Sequence, residues 1–406
     1  RDKSSIIYLA GAKDESIFSA VPFEIYRSNI IDFLSEISTQ ILSIAKSNNK
    51  YRIFSYYALW SRRANLYKLR NSRDDLNHRF GRGLAFHIAP SNVSSNILFT
   101  MAFGLLSGCP SIVRVSPNNI NEIEEIIKII DNLLYKSEYK KIKNYLSIIT
   151  YERNEEINNK LSFLADLRVI WGGNETINYF KSFKTKPKSI DIVFPNRTSI
   201  SIISLNWLKN ASEYEKSLKA KLFSNDIALF SQKACSSPKQ IIIIDPNLDF
   251  KKSYNFLNSF LKDCDLQISL MNELEEFHTL NNLKSSCELA ANIHEDFNTI
   301  KLANIFGLYS NEKNELFNDF EFENCCFLIR HIKEIHEISN FLKDDNQTIV
   351  EIGLSQSERE ILIRIASPLG TDRIVSAGKA LNMDIFWDGY DTVGIMSRYV
   401  QYSQNG

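Results

Sequence analysis

The chain has 406 residues, of which 44% are hydrophobic, 12% aromatic and 24% charged, a balance that supports a large buried core and, by length, two or three domains. The 48 Lys and Arg residues equal the 48 Asp and Glu, so no overall field exists to gather nucleic acid or anionic lipid, and partners must be selected by a local site. The 14 glycines and 9 prolines exclude collagen-like and low-complexity architectures.

In chain order, a short strand over Ile6–Ala10 precedes helical periodicity from about Ile30 to Ala45. From Gly83 the pattern is strand, loop, helix: the apolar run Leu84–Ala89, a break at Pro90-Ser91-Asn92, then a helix over Ile97–Leu106. Gly108-Cys109-Pro110 ends that helix. Ser111–Ser116 is short, β-branched and bounded by Pro117, as a buried parallel strand should be. A helix at Ile123–Leu134, a strand at Tyr145–Thr150, a helix at Glu155–Leu164 and a strand at Leu167–Trp171 follow, the last ending at Gly172-Gly173. Such alternation predicts a parallel sheet covered by helices. Strands at Ile190–Phe194 and Ser199–Leu205 and a helix over Ser212–Phe230 lead into a second block of the same kind. It contains the pure β run Gln240–Ile244, helices near Tyr254–Leu261 and Ile335–Leu342, and strands near Phe327–Arg330 and Thr348–Gly353.

Six cysteines are too sparse for a disulfide scaffold and form no C-x-x-C pair, and the six histidines, His294 among them, show no zinc-binding spacing, so no metal is expected. The longest apolar runs, such as Asn96–Leu106, fall short of the ~20 residues of a membrane span. The start Arg1-Asp2-Lys3-Ser4-Ser5 carries no signal-peptide pattern, so a cytoplasmic protein is expected.

Ligands on doubly wound sheets sit at the carboxyl ends of strands, where loop and helix N–H groups meet phosphates. Two strand ends have that character, His87–Asn92 and Val169–Thr176, although neither is a G-x-G-x-x-G or Walker loop. Gly172-Gly173 alone also reads as a plain βα turn. Cys235 lies in the polar loop Phe230–Lys239 ahead of the Gln240 strand. Backbone donors and Lys233 or Lys239 would favour its thiolate there; the alternative is an inert, buried thiol, which the other five cysteines keep as their reading.

Six segments together resemble the long-chain acyl-CoA (fatty acid) reductase family, a branch of the aldehyde dehydrogenase superfamily best known from the aldehyde-supplying step of bacterial bioluminescence. They are Phe86-His87-Ile88-Ala89-Pro90-Ser91-Asn92-Val93, Phe103-Gly104-Leu105-Leu106-Ser107-Gly108, Ile112-Val113-Arg114-Val115, Val169-Ile170-Trp171-Gly172-Gly173, Ala234-Cys235-Ser236-Ser237-Pro238 and Trp387-Asp388-Gly389-Tyr390-Asp391. They run in the expected order from roughly residue 80 to the C-terminus.

The resemblance implies an α/β, aldehyde-dehydrogenase-like fold of two doubly wound αβα domains. Residues 1–194 would hold a helical region and the nucleotide-binding domain, 195–375 the catalytic domain, and 376–406 a C-terminal segment returning to the nucleotide-binding or oligomerisation region. Cys235 would be the nucleophile that attacks an acyl thioester. Asn92 would donate its amide N–H to the oxyanion, beside the Cys235 backbone N–H; the alternative for Asn92 is a helix cap. Aldehyde-oxidising relatives carry a water-activating glutamate in Glu-Leu-Gly-Gly. Here the stretch is Asp191-Ile192-Val193-Phe194-Pro195-Asn196-Arg197, with an apolar residue at that place, so reduction of a thioester is favoured over oxidation of an aldehyde. Asp191 is the one nearby carboxylate that would undo this.

Ile88, Ala89, Pro90, Arg114, Ser116, Gly172 and Gly173 would form the cofactor site. Pro117 stands where NAD-preferring members often place a ribose-binding glutamate, and with Arg114 this suits a 2′-phosphate, so NADPH is preferred to NADH. The superfamily's Glu-Ile-Phe-Gly-Pro segment has no clean counterpart, since Asn304-Ile305-Phe306-Gly307 arrives too early. Trp387–Asp391 reads either as substrate contact or as a tight turn around Asp-Gly with two aromatics beneath. The expected enzyme is an NADP-dependent, aldehyde-forming acyl-CoA reductase, drawing on acyl-CoA or on an acyl-carrier or acyl-transfer protein, and assembling as a homo-oligomer. An oxidative or CoA-acylating aldehyde dehydrogenase and a catalytically silent acyl-protein-binding partner are the alternatives.

Overall fold

The computed structural model describes residues 5–271, 278–291, 298–310 and 322–403; His294 and residues 1–4 lie outside them. The chain divides into two compact units, Arg1–Asn196 with Met383–Gly406, and Arg197–Asn382.

The first unit holds strands β1 (Ile7–Gly11), β2 (Arg79–Gly81), β3 (Ala85–Ile88), β4 (Ser111–Arg114), β5 (Leu146–Thr150), β6 (Leu167–Trp171) and β7 (Ile190–Phe194). Its helices are α1 (Ser28–Ser47), α2 (Ser55–Trp60), α3 (Arg63–Asn71), α4 (Ser95–Leu106), α5 (Ile120–Leu134), α6 (Glu155–Leu164) and α7 (Asn174–Lys181). The main sheet has the order β1-β5-β4-β3-β6-β7, parallel except at β1. Alternation along each strand feeds two cores. Ala85, Val113, Leu167 and Val169 face the layer built from α1, α4 and α5. Phe86, Ile112, Ile149 and Ile170 face Leu161 of α6 and Ile177 and Phe180 of α7. Helix α4, apolar nearly all round, is buried except at Asn96, as such a helix must be.

The second unit repeats the plan with β8 (Thr198–Ser204), β9 (Gln240–Ile244), β10 (Thr299–Lys301), β11 (Phe306–Tyr309), β12 (Cys326–Ile332), β13 (Asn346–Ile352) and β14 (Arg373–Ser376). Helices α8 (Leu205–Asn210), α9 (Glu213–Ala228), α10 (Phe250–Ser269), α11 (His278–Ala291) and α12 (Gln356–Ala366) accompany them. The order is β10-β11-β12-β9-β8-β13-β14, parallel except at β10. Ile203, Ile241 and Ile243 pack toward α9 and α10, while Ile202, Ile242 and Ile244 pack toward Leu362 and Ala366 of α12. Helices α9 and α12 start at Ser212/Glu215 and Ser355/Glu358 capping boxes, each satisfying two orphan N–H groups.

The chain then returns to the first unit through β15 (Phe386–Trp387), β16 (Tyr390–Asp391), α13 (Thr392–Met396) and β17 (Ser397–Tyr399), with β17 pairing antiparallel to β2. Three sequence expectations shift. The helix near Tyr254 extends over Phe250–Ser269, because the Asp249 side chain caps it by accepting from Lys252 N at 3.1 Å. Ile335–Asn340 is a short 3₁₀ turn rather than an α-helix. The helix expected to reach Phe230 ends at Ala228; Leu229 is extended and the backbone is left-handed from Phe230. No helix among the described residues is long and apolar enough to cross a membrane, and no group of three or more His, Cys, Asp or Glu is placed to hold a metal there.

Candidate active site

In the first sheet the chain runs from β3 to β4 and β5 on one side, then crosses back to β6 on the other side of β3. The carboxyl ends of β3 and β6 therefore flank the switch in strand order, the place where open α/β sheets leave a ligand crevice. Ile88, Ala89 and Pro90 are buried at the end of β3, with Ala89 N donating to Arg114 O at 3.1 Å. The next two residues, Ser91 and Asn92, are exposed. Asn92 does not cap α4: Ser94 is the cap residue, and it makes no side-chain capping bond.

The loop bearing Asn92 is held from below. Buried Asn119 donates its amide to Ser91 O at 3.0 Å and to Ser94 Oγ at 3.2 Å, and the Ser94 hydroxyl donates to Glu122. Asn119 closes the 3₁₀ turn that begins after Ser116, its N–H donating to Ser116 O at 3.0 Å. Candidate oxyanion loop and candidate cofactor loop are thus tied by one side chain.

Arg114 is half-buried at the end of β4. Its guanidinium lies 4.8 Å from the centre of the Tyr151 ring and Nη2 reaches Tyr151 O at 3.4 Å, while Nε is buried without a partner. Burial pushes the Tyr151 phenol well above its usual range, and its hydroxyl donates to Asn158 Oδ1 at 2.6 Å. Gly172 has φ +151°, and a Cβ there would stand 3.0 Å from Thr176 Cβ. Gly173 is the cap residue of α7 and itself offers no side-chain acceptor to the first N–H groups. An uncapped helix N-terminus behind two glycines and a guanidinium with an unused N–H fit a dinucleotide's phosphates.

Cys235 belongs to the second unit, in the loop entering β9. Phe230 (φ 56°), Ser231 (φ 51°) and Gln232 (φ 64°) form a left-handed stretch without a glycine, at a cost of roughly 1–2 kcal/mol per residue. Such strain persists only where surrounding contacts impose it. Here Asn324 N donates to Ser231 O at 2.9 Å, the Lys239 ammonium donates to Gln232 O, and the Ser199 hydroxyl donates to Cys235 O at 2.6 Å. Lys233 lies 4.0 Å from the Glu323 carboxylate, so both candidate lysines have acceptors of their own. Cys235 is partly exposed and Cys287 exposed, whereas Cys109, Cys264, Cys325 and Cys326 are buried. Burial pushes the Cys109 thiol up to about 11 and Cys326 up to about 12, with Cys264 and Cys325 also raised, which leaves these four as poor nucleophiles.

Asp191 is engaged elsewhere. Arg168 donates to it through Nε at 2.7 Å and Nη2 at 2.6 Å, and through Nη1 to Phe180 O at 2.5 Å. Asn304 is fixed to α10, its N–H on Asp265 Oδ1 at 2.6 Å and its amide on Ser269 Oγ at 2.9 Å. Trp387–Asp391 is a two-strand hairpin turning on Asp388 (φ 47°) and Gly389 (φ 74°). Trp387 is buried in the core, Tyr390 packs edge-on to Phe194 at 5.8 Å, and Asp391 accepts from Gly394 N at 2.9 Å and pairs with Arg73 at 2.9 Å. Those contacts give the segment a structural role. Sequence reasoning missed Asn119, Ser199 and Gln232; proximity to Pro117 and Cys235 was the one signal for Asn119 and Gln232, and Ser199 had none.

The model of the acyl-CoA reductase (LuxC) family matches residues 45–399. The chain belongs to that family. No curated protein sequence matches it. Among solved structures, the reductase is similar to glyceraldehyde-3-phosphate dehydrogenase GapN of Methanocaldococcus jannaschii in complex with NADP, at 12% identity over 91% of this chain and 88% of that one, with a TM-score of 0.62. It is similar to Proline Utilization A of Corynebacterium freiburgense at 11% identity, covering 96% of this chain and 43% of that one, with a TM-score of 0.66. It is also similar to aldehyde dehydrogenase 21 of Physcomitrella patens in complex with succinate, at 8% identity over 91% and 84%, with a TM-score of 0.60. At such identities the likeness establishes the aldehyde-dehydrogenase-like α/β fold. The acyl-CoA reductase reduces an acyl thioester to an aldehyde.

Proposed function

We propose that the reductase works through an acyl-cysteine at Cys235, with NADPH as its preferred reductant. The Cys235 thiolate adds to the thioester carbonyl carbon, the oxyanion is met by the Asn92 amide N–H and the Cys235 backbone N–H, and collapse expels the CoA or carrier thiolate. Reduced nicotinamide supplies a hydride. The resulting thiohemiacetal collapses to the aldehyde, and the electron pair of the broken C–S bond returns to Cys235. The aldehyde either leaves or is reduced further to the alcohol.

The observation that carries this reading is the state of the Cys235 loop: a partly exposed thiol in a strained turn held by hydrogen bonds, while four of the other cysteines are buried with raised thiols. The Arg168 pairing of Asp191 supports the reductive direction, since both oxygens of that carboxylate are already engaged by the guanidinium. Residues 1–194 serve as the nucleotide-binding domain, with Ile88, Ala89 and Pro90 lining one wall, Gly172 and Gly173 under the pyrophosphate, and Ser116 and Arg114 toward the adenosine ribose. Arg114 favours a 2′-phosphate there. Residues 195–375 are the catalytic domain and 376–406 the returning segment, which suits an oligomer contact. The acyl group comes from CoA or from a carrier or acyl-transfer protein, in the cytoplasm. Thioester-dependent oxidation of NADPH, followed by absorbance, is expected in the wild type and lost in Cys235→Ser; a Cys235→Ser variant with undiminished turnover would overturn the assignment.

A further inference from the structure

We propose that Gln232 is a positioning residue for acyl transfer: its buried side-chain amide clasps the loop from Gln232 to Pro238 shut and thereby fixes the backbone N–H of Cys235 that meets the oxyanion. The proposal rests on the reading of Cys235 as the nucleophile.

Gln232 is fully buried, and Nε2 donates to Pro238 O at 2.7 Å and to Cys326 O at 3.2 Å. The first bond closes the loop that carries Cys235; the second anchors the closed loop to β12. The backbone alone would not hold this shape, since Phe230, Ser231 and Gln232 are all left-handed. Inside the clasp both peptide planes flanking Cys235 are fixed. Ser237 N donates to Ala234 O at 3.0 Å, which orients the peptide whose N–H belongs to Cys235, and the Ser199 hydroxyl donates to Cys235 O at 2.6 Å, which orients the next one. An oxyanion donor acts through preorganisation, so a loose peptide plane removes its benefit even when the thiol remains.

That distinction gives the test. Acyl transfer forms an oxyanion, whereas alkylation by iodoacetamide needs the thiolate and no oxyanion donor. Gln232→Met keeps the length of the side chain, deletes both donated bonds and removes Oε1, which is buried without a partner. Ser199→Ala is the milder second variant. Both are checked for folding by circular dichroism, then compared with wild type in stopped-flow release of CoA from an acyl-CoA and in the rate of iodoacetamide labelling of Cys235. The expected result is acylation slowed ~10²-fold in Gln232→Met and ~10-fold in Ser199→Ala, with KM and the alkylation rate within about threefold of wild type. Unchanged acylation in both variants, or alkylation falling in parallel with acylation, would overturn the proposal. Absence of CoA release from the wild type would instead overturn the underlying assignment of Cys235, a separate outcome.

Discussion

Arg168 and Asp191 face each other as partners on neighbouring parallel strands β6 and β7 and join as a two-bond ion pair, Nε to Oδ1 at 2.7 Å and Nη2 to Oδ2 at 2.6 Å. Arg168 is buried, so removing its partner strands a charge inside the first unit. Asp191→Ala is expected to lower stability by on the order of 3 kcal/mol in urea unfolding. The rate at which acyl-enzyme is lost to water as carboxylic acid stays as in wild type. A slower loss in the variant would mean that Asp191 serves as the water-activating base after all.

Asn92 is exposed and caps no helix, so its removal should cost activity rather than stability. Asn92→Ala is expected to reduce kcat by ~10²–10³ with an unchanged unfolding midpoint. Asn119→Ala, which releases Ser91 O and Ser94 Oγ, is expected to reduce kcat by a smaller factor. Steady-state kinetics beside thermal melts checks both. A destabilised Asn92→Ala with full activity would return that residue to a structural role.

The Arg114 guanidinium lies over Tyr151 with Nε unused, and the proposed preference for NADPH rests on it. Arg114→Gln removes the charge while leaving a chain of similar start and is expected to raise KM for NADPH about 10-fold or more, with KM for NADH within about threefold. An equal effect on both cofactors would show that Arg114 does not read the 2′-phosphate.

Burial pushes Asp226 up to about 7, against the N–H groups of Gly378 and Ala380 that donate to it at 2.6 and 3.0 Å. The unfolded chain releases this proton near pH 4, so between about pH 4 and 7 the folded state holds one more proton than the unfolded. The resulting stabilisation is full below about pH 4 and is lost as pH rises through 7. Asp226→Asn removes this dependence. Chemical denaturation at about pH 5 and pH 8 should show the variant gaining roughly 2–3 kcal/mol on wild type at the higher pH, read on the transition of the second unit. A difference independent of pH, or one that favours wild type at pH 8, would contradict the raised value.

Much of the scaffold was legible because buried parallel strands write themselves as short β-branched runs: Ser111–Arg114, Leu167–Trp171 and Gln240–Ile244 stand where periodicity put them. Pro90 and Gly172-Gly173 marked the strand ends that flank the change in strand order. The short pieces β10, β11 and β14 were missed, since three or four residues carry too little periodicity to separate strand from loop. The left-handed turn at Phe230–Gln232 was invisible for a different reason: without glycine or asparagine, nothing local announces it, and it is held by side-chain bonds to Pro238 and from Lys239 together with distant partners such as Asn324 and Cys326. Cys235 was found by resemblance, whereas the residues that shape its loop emerged only from tertiary contacts.

The acyl-cysteine is the centre of the account, and direct capture tests it best. Wild-type protein incubated with an acyl-CoA and no reductant, then digested and analysed by mass spectrometry, should show the acyl mass on the peptide bearing Cys235. The adduct should be removed by hydroxylamine and be absent in Cys235→Ser. No adduct with any acyl thioester, or an adduct confined to exposed Cys287, would contradict the account.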